Sequence, residues 1–201
     1  MFTGIVEEAG EIVAIRPGER SIEMAVRASV CARGVREGDS IAVNGCCLTA
    51  IDPSEGGILK FDLLKETWNR TNFHLARVGS LVNLERSMPA DGRVHGHFVT
   101  GHVDGTGRIE TFEQRASDWY LRVIPPLELL RYVVMKGAIA VDGMSLTVAE
   151  VGADGFAIWI IPHTLRVTAL RERKAGDLVN LEADLLAKYV EKLARPDHGE
   201  S

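Results

Sequence analysis

The sequence lacks the features that mark several common classes of protein. It has 23 basic and 28 acidic residues among 201 and no basic cluster, so we expect no nucleic-acid partner. Its longest apolar runs fall far short of the ~20 residues that a membrane-spanning helix needs. The N-terminus, MFTGIVEE, has no basic region of the kind that begins a signal peptide. These absences predict a cytoplasmic protein that binds neither nucleic acid nor membrane.

Cysteine is also scarce, and familiar catalytic motifs are missing. Cys31, Cys46 and Cys47 are odd in number, and the adjacent pair could bridge only with strain, so we expect reduced thiols. No CxxC pair, Ser-His-Asp order or dinucleotide fingerprint occurs. Three histidines at 95, 97 and 102 could be read as metal ligands, but no carboxylate cluster joins them. We therefore predict no metal site.

An internal repeat is the main positive feature of the chain. With 46% hydrophobic and 25% charged residues, the composition is that of a globular protein with a sizeable core. IAVNGCCLT at 41–49 is echoed by IAVDGMSLT at 139–147, 98 residues later. Thr-Gly at 3–4 and VNLE at 82–85 recur 97 residues later, at 100–101 and 179–182. A period of this length predicts two tandem copies of one small domain, with a boundary near residue 97.

Short segments rich in β-branched residues and separated by glycine predict that each copy is a small closed antiparallel barrel. Asn-Gly at 44–45 and Asp-Gly at 142–143 predict two-residue hairpin turns. Short helices are expected at 30–36 and 127–135. An apolar stripe over 184–193 predicts a helix that covers a partner subunit. The strands expected in the first copy are 3–15, 22–26, 40–43, 47–51, 58–63 and 81–85.

The two copies differ in chemistry at equivalent positions. Cys47 corresponds to Ser145, and Ile5 corresponds to His102. Two matched pockets of unequal chemistry would suit two copies of one ligand that are treated differently. The alternatives are that Cys47 is a small buried hydrophobe and His102 a structural histidine.

Several polar residues also recur in both copies and suit a polar, uncharged ligand. They are Thr49 and Thr147, Thr67 and Thr164, and Asn83 and Asn180. On exposed strands such residues are more often only β-formers or turn residues. Lys136 and Asp184 are the charged candidates, although either could be a solvated surface residue.

Long motifs in both halves resemble the riboflavin synthase family over nearly the whole chain. They are MFTGIV at 1–6, NGCCLT at 44–49, FDLLKET at 61–67, GHFVTGHVDG at 96–105, DGMSLT at 142–147 and IPHTL at 161–165. The resemblance implies an all-β dominated chain with two tandem six-stranded Greek-key β-barrels and a C-terminal α-helix that holds a homotrimer together. The corresponding divisions are 1–97, 98–184 and 185–201.

The implied activity is a transferase reaction between two molecules of 6,7-dimethyl-8-ribityllumazine. One molecule gives a four-carbon unit to the other, which yields riboflavin and 5-amino-6-(ribitylamino)pyrimidinedione without cofactor or metal. In such enzymes the site lies between the first barrel of one subunit and the second barrel of a neighbour. Association with lumazine synthase is left open.

The resemblance also implies which residues act. Cys47, or a water that it orients, would add to the acceptor ring, while His102 with Ser145 and Thr147 would handle the methyl proton and Phe2 would shape the pocket. The substrate-binding residues implied are Phe2, Gly4, Ile5, Val6, Leu48, Thr49, Asp62, Leu63, Leu64, Lys65, Glu66, Thr67, Gly101, Val103, Lys136, Leu146, Ile161, Pro162, His163, Thr164, Leu165, Arg166 and Asp184.

Two departures from the family pattern bear on ligand contacts. His163 stands where some relatives have Glu after Ile-Pro, and His95 replaces a common glycine. Two alternative hypotheses for the function are a non-catalytic lumazine- or flavin-binding antenna protein of the same fold, and a structural double barrel that binds a protein.

Overall fold

The first half of the chain folds into a six-stranded antiparallel sheet. A computed structural model describes residues 1–52 and 56–194. The strand order is β4-β3-β6-β1-β2-β5, and a bridge between Ala50 and Phe61 joins the two edges, so the sheet curls into a barrel. Its strands are β1 (Glu8–Pro17), β2 (Ser21–Arg27), β3 (Ser40–Val43), β4 (Cys46–Thr49), β5 (Ile58–Leu64) and β6 (Leu81–Arg86).

The second half repeats this topology and closes completely. Its circular order is β10-β11-β8-β7-β12-β9, which is the order of the first barrel shifted by six strands. The predicted pair of similar barrels is therefore confirmed. The strands are β7 (Gly105–Arg115), β8 (Asp118–Ile124), β9 (Ala138–Val141), β10 (Met144–Val151), β11 (Phe156–Ile160) and β12 (Leu178–Ala183).

Helices are few and short. They are α1 (Lys65–Arg70), α2 (Leu127–Leu130), α3 (Pro162–Val167) and α4 (Leu185–Ala194), with 3-10 turns at Asn72–Leu75 and Ala169–Glu172. The helix expected at 30–36 is wrong, because the Glu8 carboxylate accepts the backbone N–H groups of residues 29–31 and fixes a turn there. The sequence did not predict α1 or α3. None of the helices in the described ranges is long and apolar enough to cross a bilayer.

The two predicted hairpin turns meet back to back between the barrels. Asn44 and Asp142 both have φ of 44°, and the glycine after each also has positive φ, as a two-residue hairpin turn requires. A Cβ placed on Gly45 would lie 2.7 Å from the backbone nitrogen of Gly143, so the turns touch through backbone alone. The closeness of these turns brings the two barrels together.

Paired asparagines lock this contact. Asn83 Nδ2 donates to the carbonyl oxygen of Asp142 at 2.8 Å, and Asn180 Nδ2 donates to that of Asn44 at 2.9 Å. The Oδ1 atom of Asn180 accepts a hydrogen bond from the first backbone N–H of the Asn72–Leu75 turn, and that of Asn83 accepts one from the first N–H of the Ala169–Glu172 turn. Both side chains are buried, so the prediction that these two asparagines contact a ligand is wrong.

Candidate functional site

A buried carboxylate ties each Thr-Gly segment to the last strand of its own barrel. Glu85 Oε1 accepts the N–H and the hydroxyl of Thr3 at 2.7 and 2.8 Å, and Oε2 accepts the N–H of Gly4 at 3.0 Å. Glu182 binds residues 100–101 in the same way, at 2.7, 2.8 and 2.9 Å. This pairing explains why the Thr-Gly and VNLE motifs recur together.

Each Thr-Gly segment nevertheless lies against the other barrel. The N–H of Ser145 donates to the Gly4 carbonyl at 2.7 Å, and the N–H of Cys47 donates to the Gly101 carbonyl at 2.8 Å. The residues that follow are exchanged as well. Val6 packs on the core of the second barrel, and Val103 packs on the core of the first. The two halves of the chain therefore complete each other.

Two pockets follow from this exchange. Most of the predicted binding residues fall into two groups, which we call the first-barrel pocket (residues 47–49, 62–67 and 101–103) and the second-barrel pocket (residues 4–6, 145–147 and 161–166); the N–H of Cys47 meets Gly101 in the first group, and the N–H of Ser145 meets Gly4 in the second. The β4–β5 bridge, together with the crossed segments, brings the parts of the first pocket to one side of the barrel. The second pocket is built in the same manner from β10, β11 and the N-terminal segment.

Glycine is required where the segments cross. A Cβ on Gly101 would lie 2.6 Å from Cys47 Cβ, and one on Gly4 would lie 2.6 Å from Ser145 Cβ. Their φ angles of +82° and +75° are in the left-handed region, which also favours glycine. The thiol and the hydroxyl are thus held at matched positions by matched contacts.

Cys47 is the one cysteine that the fold leaves partly accessible. Cys31 and Cys46 are buried among the core side chains of the first barrel. Burial raises the pKa of the Cys46 thiol to about 12, which disfavours its thiolate. His102 follows Gly101, is exposed, and lies on the side of the first-barrel pocket.

A different histidine meets Ser145 in the second-barrel pocket. His97 Nδ1 lies 2.7 Å from Ser145 Oγ, and its Nε2 is buried without a hydrogen-bond partner in the described part of the chain. Burial lowers the pKa of His97, while the carboxylates of Asp184 and Glu182 act in the opposite sense. A neutral imidazole can accept the serine proton, so this pair can act as a base.

Within one chain His102 follows Gly101, whose carbonyl accepts the N–H of Cys47, whereas the N–H of Ser145 donates to Gly4, so the predicted grouping of His102 with Ser145 and Thr147 stays a prediction. A site that contains His102 and Ser145 together would need a second chain. The sequence motifs indicate no role for His97 beyond that of a possible metal ligand, and the repeat offers no signal for it, since its counterpart would precede Met1.

Three of the predicted binding residues have large side chains that are buried. Phe2, Leu48 and Leu63 are 0%, 6% and 1% exposed, and the two leucines belong to the core of the first barrel. Phe2 packs between the barrels with Cys47 at its side. Lys136 is exposed and has φ of 64°, a strained conformation for lysine.

The side chains of the remaining predicted residues are exposed or half-buried. Asp184 begins the C-terminal helix by accepting the N–H of Leu186 at 3.0 Å. Exposed side chains line α1 and α3, where an Arg166 guanidinium N–H lies 3.3 Å from His163 Nδ1. The linker residue His95 lines a cavity of about 550 Å³ that also includes Ile5. No group of three or more metal-ligating side chains is present in ranges 1–52 and 56–194.

Two interlocked barrels of matching topology, with unequal side chains at equivalent positions, define a tandem double-barrel protein. Residues 3–87 and 100–184 both match the family described as "Lumazine binding domain". The chain belongs to the riboflavin synthase family, with two such domains in tandem.

Curated relatives support this placement, and solved structures share the fold. The chain is 43% identical to a riboflavin synthase of Actinobacillus pleuropneumoniae, covering 96% of this chain and 89% of that protein. It is 44% identical to that of Mycobacterium bovis, covering 97% and 98%. The fold is similar to LumP complexed with 6,7-dimethyl-8-(1'-D-ribityl) lumazine, with a TM-score of 0.82, 25% identity, and coverage of 91% and 99%. LumP complexed with riboflavin gives a TM-score of 0.84 at 27% identity, with the same coverage.

Proposed function

We propose that this chain is a riboflavin synthase. It would transfer a four-carbon unit between two molecules of 6,7-dimethyl-8-ribityllumazine, which gives riboflavin and 5-amino-6-(ribitylamino)pyrimidinedione. The proposal is supported by identities of 43% and 44% to synthases over nearly the full chain. The observation that carries it is that Cys47 and Ser145 occupy matched positions, each bonded through its backbone to the glycine of the other copy.

The reaction would need no cofactor. Two substrate molecules contain the same atoms as the two products together, so no oxidant or reductant has to be added. The methyl group on carbon 7 of the substrate is acidic because its carbanion is delocalised into the ring, so a modest base and good alignment can suffice.

In the first-barrel pocket, Cys47 or a water that it orients would add to the acceptor ring. Its thiol is partly accessible, in contrast to the buried thiol of Cys46. Thr49 and Asp62 are exposed beside it and would bind polar atoms of the ligand.

In the second-barrel pocket, the Ser145 hydroxyl and His97 would take up the methyl proton of the donor. A neutral His97 ring 2.7 Å from Ser145 Oγ suits this step, and burial favours the neutral form. His102 would assist from the first-barrel pocket of a neighbouring subunit, which would restore the grouping of His102 with Ser145.

Such a shared site requires an oligomer, and we propose a homotrimer held by α4. Leu186, Val190 and Leu193 are 65%, 65% and 82% exposed on this helix, so its apolar stripe is uncovered in a single chain. Ion pairs of Lys188 with Asp104 and of Arg131 with Glu191 fix the helix on the second barrel. We place the protein in the cytoplasm and include lumazine synthase among its proposed partners. The proposed divisions of the chain are 1–97, 98–184 and 185–201, of which residues 195–201 lie outside the described part.

Conversion of ribityllumazine tests the proposal directly. Purified protein is mixed with the substrate in buffer without cofactor, and flavin absorbance is recorded. Formation of riboflavin supports the synthase, binding without conversion would indicate an antenna protein, and no binding would indicate a structural role.

A matched pair of variants tests the part played by the thiol. Cys47→Ser should lower turnover far more than it weakens ligand binding, because the side chain acts on the ring rather than holding it. Cys46→Ala serves as the control, since its side chain points into the core, and it should keep most of the activity per folded molecule. Full activity of Cys47→Ser would remove this residue from the mechanism.

A further inference from the structure

Strand β11 carries a large exposed side chain that is not among the pocket residues named above. Trp159 is 43% exposed. It stands 97 residues after Asp62, which opens the β5 segment of the first-barrel pocket. The repeat therefore puts an indole in the second copy where the first has a carboxylate.

The strand register brings Trp159 next to the second-barrel pocket. Val148 on β10 pairs with Ile158 on β11, and both side chains are fully buried. Extended by one residue beyond this last pair, the register puts Thr147 opposite Trp159, and both side chains are exposed. Because side chains opposite each other on adjacent strands are neighbours, the indole lies at the edge of this pocket.

The first barrel has the same local geometry. There Ala50 pairs with Phe61, so Thr49 comes opposite Asp62 on the outer face. The two pockets therefore share a threonine, but they differ in the side chain beside it. This difference is separate from the exchange of Cys47 for Ser145.

An aromatic ring on the neighbouring strand β8 contacts the indole from the side. Tyr120 pairs with Trp159 across the β8–β11 ladder, and their rings meet edge to face at 5.2 Å and 67°. The Arg115 guanidinium lies 3.8 Å over the Tyr120 ring, whose hydroxyl donates to Glu150 at 3.2 Å. An edge-to-face contact covers at most one face of the indole, so Tyr120 leaves the other open to a planar molecule.

We infer that Trp159 is a specificity-determining residue of the second-barrel pocket, where its indole stacks on a flat heteroaromatic ligand. Asp62 offers a hydrogen-bond acceptor at the equivalent place in the first-barrel pocket. Two identical ligands are then held unequally, one by stacking and the other by polar contact. The inference rests on the proposed function only in taking a lumazine or flavin as the ligand.

Titration of the purified full-length protein with riboflavin tests this inference. The probe is followed by calorimetry and by its fluorescence, and the wild type should show two classes of site. Trp159→Leu should weaken one class about ten-fold or more, as expected for loss of one aromatic stacking contact, and leave the other class unchanged. Trp159→Phe should restore most of the affinity, because it keeps an aromatic face.

Trp119→Phe is the control, because Trp119 packs on the core of the second barrel against Phe112. It should leave both classes unchanged. Binding by Trp159→Leu that coincides with the wild type would overturn the inference. Equal losses in the Leu and Phe variants of Trp159 would do so too, since loss of stacking cannot explain them.

Failure of the proposed function would look different. A wild type that binds neither riboflavin nor ribityllumazine would refute the proposed function. A wild type that binds and converts its substrate, with unchanged affinity in Trp159→Leu, would refute only the role of the indole.

Discussion

Replacing Gly101 by alanine should disable the crossing of the two halves. The residue has φ of +82°, and an added Cβ would lie 2.6 Å from Cys47 Cβ and 2.9 Å from its backbone nitrogen. The left-handed conformation costs alanine about 1–2 kcal/mol. Relief of the overlap by backbone shifts adds about 1–3 kcal/mol, because both contacted atoms belong to the rigid part of Cys47. We therefore expect Gly101→Ala to lower the free energy of unfolding by roughly 2–5 kcal/mol.

Gly79→Ala separates these two terms. Gly79 has a similar φ of +92°, but an added Cβ would meet nothing within 4 Å. The free energy of unfolding of Gly79→Ala should therefore fall only by the conformational cost of about 1–2 kcal/mol, and the variant should keep wild-type turnover. Urea unfolding with linear extrapolation measures the stabilities, and ribityllumazine turnover per folded molecule measures the site. Equal stability losses in the two variants, or full activity of Gly101→Ala, would refute the crossing contact.

Three further predictions concern charge and assembly. Burial lowers the pKa of His97 in the folded chain, so as the pH falls the unfolded chain takes up a proton at a higher pH than the folded chain does. The free energy of unfolding should therefore fall as the pH drops below about 6.5. The midpoint of urea unfolding should fall less with pH in His97→Asn than in the wild type. Val190→Asp should give smaller species by sedimentation and little turnover, whereas Lys192→Asp on the same helix should remain assembled; an active Val190→Asp monomer would contradict the shared site. Glu182→Gln should cost about 1–3 kcal/mol in urea unfolding and reduce turnover, because glutamine replaces one of the two accepting oxygens by an NH2 group, which cannot accept the backbone N–H that faces it; unchanged values would exclude this anchor.

The repeat made the barrels predictable. Glycine, Asn-Gly and β-branched patterns are local, and they located nearly all strands of the first copy. Residues 3–7 were an exception: they read as strand, but the structure begins β1 at Glu8, because Phe2 pairs with Val99 and the segment crosses to the other barrel. That pairing depends on residues 97 positions apart, which local patterns cannot reveal.

The site was only partly predictable for the same reason. Alignment of the two copies located Cys47 and Ser145, because each follows a recognisable turn. It misassigned Asn83 and Asn180, since paired amides suit a ligand and an interface equally well, and only burial between the barrels separates the two uses. The contact of His97 with Ser145 spans 48 residues and has no counterpart in the first copy.

Counting bound ligands tests the central claim most directly. A ribityllumazine that lacks the methyl group on carbon 7 cannot donate carbon, so it should occupy both pockets without reacting. Equilibrium dialysis of the purified protein against this compound should give two molecules bound per chain at saturation. A count of one or none per chain would contradict the claim that both copies hold the same kind of heterocycle.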